Sequence, residues 1–176
     1  MKKVLLLSFI LIAVCIPLVL LIIDRSITIE QRLEELLELV YSSDYSDYMG
    51  SDYDEEYVRI SEKKEKKFEN LFTEKGFKSI KNNLFMHSSG ITSIRDRCSI
   101  DVTSVVLDIR EVEDDSVRVC YYTVIAFVDY IDDYIEPESI EITGTMALYL
   151  EEGKWKIGKI VEDRFPFSSL KKTRKK

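Results

Sequence analysis

The sequence predicts an α+β protein in which an N-terminal transmembrane helix precedes two to three helices packed into a curved antiparallel sheet of about four strands. Three observations lead to this prediction. Residues 4–23 are almost entirely apolar, the segment that follows has apolar residues at helical spacing, and the segment after residue 98 alternates between apolar and polar residues. An amphipathic helix and a one-sided sheet must each bury an apolar face, so the helices are the expected cover of the sheet.

The charge of the chain excludes one class of partner. The 176 residues include 25 Lys and Arg against 32 Asp and Glu. Without Lys2, Lys3 and the five basic residues of the C-terminal tail, residues 24–170 carry a net charge of −14. Because nucleic acids are bound through clustered positive charge, no nucleic-acid partner is expected. The apolar fraction of 45% excludes a disordered chain and suffices for one buried core.

The N-terminal block is predicted to be a membrane anchor. Residues 4–23 are interrupted only by Ser8 and Pro17, and a helix of this length matches the ~30 Å of a hydrocarbon core. Lys2 and Lys3 precede the block, which favours an extracytoplasmic domain. The alternative is a signal peptide. The C-terminal end of this apolar block lacks the Ala-x-Ala pattern of a cleavage site, so an uncleaved transmembrane span is favoured over a cleaved signal peptide.

The three cysteines are predicted to be unpaired. Cys15 lies in the apolar block, where a free thiol behaves as a small hydrophobe. If the strands around Cys98 and Cys120 pair across the acidic turn at residues 113–116, facing residues have numbers that sum to about 229. The two cysteines are then about eleven positions out of register, too far apart for a disulfide. No Cys/His spacing typical of zinc is present, so no cofactor or metal is expected.

The first element after the anchor is a predicted helix. Its apolar stripe consists of Ile29, Leu33, Leu36, Leu37 and Val40. Thr28 and Gln31 fit a capping box at its start. The stripe is too short for a coiled-coil stalk, so we expect it to pack on its own domain.

Residues 41–57 form the most unusual segment, with five of the ten tyrosines and no basic residue. Its six carboxylates suggest calcium, but their spacing does not fit an EF-hand loop, so no metal is expected. Tyr41, Tyr45 and Tyr48 lie at helical spacing and are compatible with a continued buried face. The alternative is a partner-binding surface, for which Tyr45, Tyr48 and Tyr53 are the candidates because tyrosine offers a large, rigid contact area.

Two further helices are predicted before the strands. One begins at Ser61 and presents its charged residues to water, and a shorter one is capped by Thr73 and reaches about Asn82. His87 is the only histidine and lies in a stretch that is typical of a loop. Without a nucleophile or an acid at a known spacing, it is not predicted to be catalytic.

The second half of the chain predicts four strands. They are Ser99–Ile109, Val117–Tyr130, Ser139–Leu150 and Trp155–Val161. Short acidic or glycine-containing turns separate them, so neighbouring strands are expected to pair antiparallel. On the last strand Trp155, Ile157 and Val161 are expected to share the inward face. Asp101 and Asp108 are expected on opposite faces of the first strand.

Two stretches of this pattern resemble a known family. Residues 71–77 read Leu-Phe-Thr-Glu-Lys-Gly-Phe, and residues 144–157 read Gly-Thr-Met-Ala-Leu-Tyr-Leu-Glu-Glu-Gly-Lys-Trp-Lys-Ile. With the order of elements, they resemble the nuclear transport factor 2-like superfamily over about residues 27–163. The resemblance implies a sheet wrapped around the first helix, often with a pocket. Members include ketosteroid isomerase-type enzymes, singly anchored domains of bacterial secretion and conjugation machines, and small extracytoplasmic proteins; the predicted anchor fits the last two.

No catalytic residues are predicted. The resemblance admits a small-molecule-binding or isomerase-like enzyme, which needs a carboxylate base and a tyrosine or neutral acid inside the pocket. No aspartate of this chain matches the catalytic positions of that family. A noncatalytic module is therefore the expectation, with the enzyme as the alternative.

The chain is thus divided into an anchor at residues 1–25, a domain at 26–165 and a basic tail at 166–176. The predicted function is a noncatalytic extracytoplasmic binding or assembly module of a secretion, conjugation or envelope complex, with a protein partner that carries positive charge. The candidate partner-binding residues are Tyr45, Tyr48, Tyr53, Asp132 and Tyr134. The candidates for contact with the membrane or a polyanion are Lys171, Lys172, Arg174, Lys175 and Lys176, because basic side chains are attracted to anionic headgroups. The alternative for the tail is attraction to its own acidic domain.

Overall fold

The computed structural model describes residues 28–49, 53–83, 85–162, 167–168 and 170–174. The chain divides into two compact units, residues 1–32 and 33–176. The predicted anchor at residues 4–23 lies outside the described residues. Among the helices that are described, none has the length and apolar character needed to cross a bilayer.

The described part of the chain contains four α-helices, connected in places by 3₁₀ turns. They are α1 (Ile29–Tyr41), α2 (Tyr53–Phe68), α3 (Glu74–Asn82) and α4 (Ser88–Asp96), with 3₁₀ turns at Tyr45–Tyr48, Glu69–Leu71 and Phe85–His87. The predicted capping box is confirmed, since Thr28 N donates to Gln31 Oε1 at 3.0 Å and Gln31 N donates to Thr28 Oγ1 at 3.3 Å. The predicted cap of α3 is confirmed as well, because Gly76 N donates to Thr73 Oγ1 at 3.0 Å.

The helical half differs from the prediction in two places. Helix α2 begins at Tyr53 rather than at Ser61. Helix α4 occupies a stretch that was predicted as loop. Its small polar residues are buried rather than solvated: Ser89 Oγ donates to Val40 O at 2.6 Å, and Gly90 leaves room for the Tyr48 hydroxyl.

Four antiparallel strands follow in the order of the sequence. They are β1 (Cys98–Glu111), β2 (Val117–Tyr130), β3 (Glu138–Glu151) and β4 (Lys154–Glu162), and they form one sheet of order β1-β2-β3-β4. The predicted strands are confirmed to within a few residues. Ile109 faces Cys120, and Cys98 faces Tyr130, so the two cysteines are far out of register, and both are buried.

The core lies between α1 and the inward face of the sheet. Leu33, Leu36, Leu37 and Val40 are fully buried, which confirms the predicted stripe for these residues. The even-numbered residues of β2 from 120 to 130 and several even-numbered residues of β3 are buried opposite them. Gly144 allows close packing, because a Cβ there would collide with the Tyr122 hydroxyl and the carbonyl of Val161.

Two bulges change which residues face the core. The register shifts between Val102 and Ser104 on β1, so Asp101 and Asp108 both lie on the exposed face instead of on opposite faces. A second shift, between Ala147 and Leu148, places Ile157 inward but leaves Val161 46% exposed. The predicted common inward face of the last strand is therefore wrong, because an extra residue in a ladder reverses the alternation.

Candidate functional site

Residues 129–138 are a second acidic segment with tyrosines, and its first residue lies near Asp44 and Tyr45 of the first such segment at the start of β1. Asp44 Oδ1 accepts a hydrogen bond from Ser99 Oγ at 3.2 Å, and Tyr45 N donates to the same Ser99 Oγ at 3.1 Å. Ser99 is also the cross-strand partner of Asp129 on β2. Asp44 and Tyr45 therefore border the same end of the sheet as Asp129, although they are far apart from it in the sequence.

This surface is named the acidic end. It comprises Asp44, Tyr45, Asp101, Phe127, Asp129, Asp132, Asp133 and Tyr134. Phe127 is 38% exposed and faces Asp101 across the ladder. The loop that carries Asp132 is attached beside β1 by the hydrogen bond from Ile131 N to Arg97 O at 2.9 Å.

The predicted partner-binding residues divide into four groups. Tyr134 is 76% exposed and its N–H donates to Asp132 Oδ1 at 3.0 Å, so both residues are presented at the surface. Tyr45 is half-buried. Tyr48 is a core residue, 5% exposed, with its hydroxyl accepting from Ser43 Oγ at 3.0 Å, so its prediction as a surface residue is wrong. The side chain of Tyr53 lies outside the described residues.

Asp44 is the carboxylate of the acidic end with the most hydrogen-bond partners. Hydrogen bonds from Ser46 and Ser99 lower the pKa of Asp44, so this group stays ionised and is already engaged by the protein. Within the part of the chain that the structure describes, no group of three or more Asp, Glu, His or Cys residues is placed to hold a metal ion.

A mixed-charge cleft of about 570 Å³ adjoins the acidic end. Its basic wall is formed by Arg59, Lys63, Lys64 and Lys67 of α2, and its acidic residues are Asp44, Asp47 and Asp101. Lys64 is buried and donates to Ser42 O at 3.1 Å, directly after the end of α1. Burial lowers the pKa of Lys64 to about 8. Its position beside the carboxyl end of a helix is the one that the helix dipole favours for a cation.

The basic tail lies on the domain as far as it is described. Lys172 Nζ is 2.7 Å from Asp96 Oδ1, and the backbone N–H groups of Lys171 and Lys172 donate to the Glu138 carboxylate. Arg174 is exposed and forms an isolated antiparallel bridge with Ile135. Lys175 and Lys176 lie outside the described residues. For Lys172, the structure shows the second of the two alternatives for the tail, namely contact with its own acidic domain.

His87 belongs to a hydrogen-bonded chain that the sequence did not predict. Its Nδ1 is 2.8 Å from the Tyr57 hydroxyl, and its Nε2 is 3.3 Å from Glu65 Oε1. Glu65 Oε2 is also 2.9 Å from Lys81 Nζ. Sequence spacing gave no signal, because the partners come from α2 and α3 and are brought together only by helix packing. These hydrogen bonds connect α2 and α3 to the 3₁₀ turn before α4.

A second buried polar cluster lies between α1 and the sheet. The Tyr41 hydroxyl donates to Glu162 Oε1 at 2.6 Å and is 3.1 Å from the Tyr122 hydroxyl. Burial raises the pKa of Glu162 and, with the neighbouring Tyr122 and Glu162, the pKa of Tyr41. The sequence missed this inward acid because Glu162 ends β4, where acidic residues are usually solvated.

Fold and site together define an α+β domain with an acidic surface at one end of its sheet. No protein-family model matches the chain, and no curated protein sequence matches it. Several solved structures are similar. CagV, a VirB8 homologue of the type IV secretion system of Helicobacter pylori, is 7% identical, with 72% of this chain and 89% of CagV covered at a TM-score of 0.45.

Two other solved structures have a comparable degree of similarity. An IcmL-like type IV secretion system protein from Legionella pneumophila is 8% identical, with 73% of this chain and 84% of that one covered at a TM-score of 0.45. A periplasmic fragment of TraM is 14% identical, with 73% and 89% covered at a TM-score of 0.38.

Proposed function

We propose that the chain is a noncatalytic extracytoplasmic binding module, tethered to the membrane by a single span at residues 4–23, that assembles with a basic protein. The observation that carries this proposal is the convergence of two acidic segments on Ser99, which creates the acidic end. The resemblance of the sequence implies secretion or conjugation machines as one class of envelope complex in which such a module takes part.

The acidic end has the composition of a protein-binding surface. Tyr134 and Phe127 are exposed by 76% and 38%; the Tyr134 N–H donates to Asp132, and Phe127 faces Asp101 across the ladder. Exposed aromatic and aliphatic groups provide contact area, while charge of one sign directs the encounter with a partner of opposite sign. The net charge of −14 for residues 24–170 extends that field beyond the surface itself.

The proposal is tested by site-specific photo-crosslinking of the full chain in intact cells. A photoreactive residue replaces Tyr134 at the acidic end, and the matched control replaces Glu113, which is exposed in the β1–β2 turn at the opposite end of the sheet. We expect a discrete adduct with a basic protein from position 134 and none from position 113.

Charge reversal separates specific binding from proximity. We expect D129K/D132K to reduce the adduct about tenfold, since like charges placed opposite each other cost ~1.4 kcal/mol or more. The control E113K/D115K makes the same change in net charge at the other end of the sheet and should leave the adduct unchanged. Equal adducts from both positions, or no adduct from either, would contradict the proposal.

The alternative, a ligand carrier or isomerase-like enzyme, is favoured by one specific observation. Tyr41, Tyr122 and Glu162 form a buried group with an inward carboxyl and two phenols, the side-chain types that such chemistry requires. The variant E162Q distinguishes the two functions. It leaves the adduct from position 134 intact if the chain is a binding module, and it removes ligand binding or proton transfer if this buried group is the functional site.

A further inference from the structure

The tail is seated along the surface in the manner of a bound peptide. Glu136 N donates to Thr173 O at 2.8 Å, and Ile135 and Arg174 form an antiparallel bridge. An extended segment that pairs with a free backbone edge is a common mode of peptide recognition. Residues 170–174 thus use the backbone of residues 135–136 as a short template strand.

Two carboxylates define the register of this segment. Glu138 accepts hydrogen bonds from Lys171 N at 3.1 Å and Lys172 N at 3.2 Å, while Tyr130 Oη donates to the same carboxylate at 2.7 Å. Asp96 accepts from Lys172 Nζ at 2.7 Å and from Arg95. One carboxylate therefore binds the backbone of the tail, and the other binds the charge of a single side chain.

These carboxylates are built into the domain. The Asp96 side chain is only 3% exposed. Burial alone would raise the pKa of Asp96, but the hydrogen bonds from Arg95 and Lys172 lower it. Burial would likewise raise the pKa of Glu138, and the bonds from Tyr130 and from the N–H groups of Lys171 and Lys172 lower it. Both acids are therefore ionised receptors for a donor-rich segment.

The tail does not fill the space beside it. A cleft of about 480 Å³ is bordered by Arg95 and Asp96 on one side and by Phe167, Leu170 and Lys172 on the other. The template residues 135–138 also continue directly from Asp132 and Tyr134 of the acidic end. A longer basic segment that occupied this groove would therefore extend onto the acidic end.

We propose that residues 170–174 occupy, within their own chain, a groove that binds an extended basic segment of a protein partner, so that the tail and the partner compete for Glu138 and Asp96. This inference rests on the proposed function and adds to it the conformation and chemistry of the partner. The partner segment presents consecutive backbone N–H groups to Glu138 and a lysine or arginine to Asp96. The tail keeps the groove closed until such a segment displaces it.

The test measures peptide binding to the full chain in detergent by fluorescence anisotropy. The probe is a labelled synthetic peptide with the sequence of residues 168–176, and its comparison is the same peptide in reversed order, which has the same charge. We expect a variant that ends after Leu170 to bind the probe at least about tenfold more tightly than the intact chain, because a tethered tail competes at an effective concentration in the millimolar range. The reversed peptide should bind about tenfold more weakly.

Matched variants locate the binding. In the shortened chain, E138Q should weaken binding of the probe about tenfold, since the substitution removes a charged acceptor of two N–H groups. E141Q makes the same change in charge at an exposed residue of β3 that has no contact with the tail in this account, and it should change binding by less than about twofold. If shortening impairs folding, as judged by circular dichroism, K172A in the intact chain serves instead and should also strengthen probe binding.

The outcomes separate this inference from the proposed function. Equal binding of the two peptides, or equal effects of E138Q and E141Q, would overturn the inference. If the adduct from position 134 forms while the shortened chain fails to bind the probe, the groove proposal alone is wrong. If neither the adduct nor the complex with the probe forms, the groove proposal and the proposed function are both wrong. The groove proposal is supported if the shortened chain binds the probe more tightly than the intact chain and E138Q weakens that binding.

Discussion

At the scale of single residues, the pair of Tyr41 and Glu162 combines burial with a hydrogen bond of 2.6 Å. Burial raises the pKa of Glu162, and the bond from Tyr41 only partly opposes this effect. A carboxyl group whose pKa is raised in the folded state binds its proton more tightly there than in the unfolded chain. The stability that this proton contributes is present below the usual pKa of 4.5 and is lost as the pH rises through the folded pKa.

This predicts a specific pH dependence for the substitution Glu162→Gln. Between pH 4 and pH 7, the free energy of unfolding of the wild type should fall relative to that of E162Q, because only the wild type has a carboxyl group at position 162 whose pKa is raised in the folded state. Urea denaturation at several pH values measures the difference. The control E141Q alters an exposed glutamate of β3 and should follow the wild-type profile. Parallel profiles for wild type and E162Q would contradict the raised pKa.

Residues with local partners could be predicted from the sequence, and residues with distant partners could not. The Thr28–Gln31 and Thr73–Gly76 caps depend on spacings of three residues, and both are confirmed. His87, by contrast, interacts with Tyr57 and Glu65 through the packing of separate helices. Tyr48 could not be predicted for the same reason, because it is buried against Gly90 of α4, a helix that was not predicted from the sequence.

At the scale of elements, the sheet was the most predictable part. Alternation of apolar and polar residues is a local signal, and the acidic turn at residues 113–116 set the register of β1 against β2. The bulges were not predictable, because the position of an extra residue in a ladder depends on how both strands pair and not on the sequence of one strand. The start of α2 was missed since its first turn is too acidic to display an apolar stripe.

The register of β1 and β2 predicts where a disulfide can be introduced. Ile109 is the cross-strand partner of Cys120, so I109C should form a disulfide with the native Cys120 under mild oxidation. Thiol titration of the unfolded protein should show a loss of two thiols. The control L107C faces Tyr122 and should keep all its thiols. A disulfide in L107C instead would mean that the register is displaced by two residues.

At the scale of the whole molecule, charge is distributed unevenly along the chain. The acidic residues all follow residue 23, and five basic residues stand in the last six positions. Within the described residues, the side-chain charge of Lys172 is paired with Asp96 of the same chain, and Glu138 accepts backbone N–H groups of the tail. Composition indicated this attraction, but it gave no indication of the backbone pairing at residues 135–136 that positions the tail.

The central claim is that residues 4–23 hold this domain on the far side of a membrane. A membrane-impermeant maleimide applied to cells with an intact cytoplasmic membrane tests it most directly. Cys98 and Cys120 are fully buried and should not react, whereas Tyr134→Cys places a thiol at a position that is 76% exposed. The account predicts labelling of Y134C, and none of wild type, in intact cells. Labelling of Y134C only after lysis would contradict it.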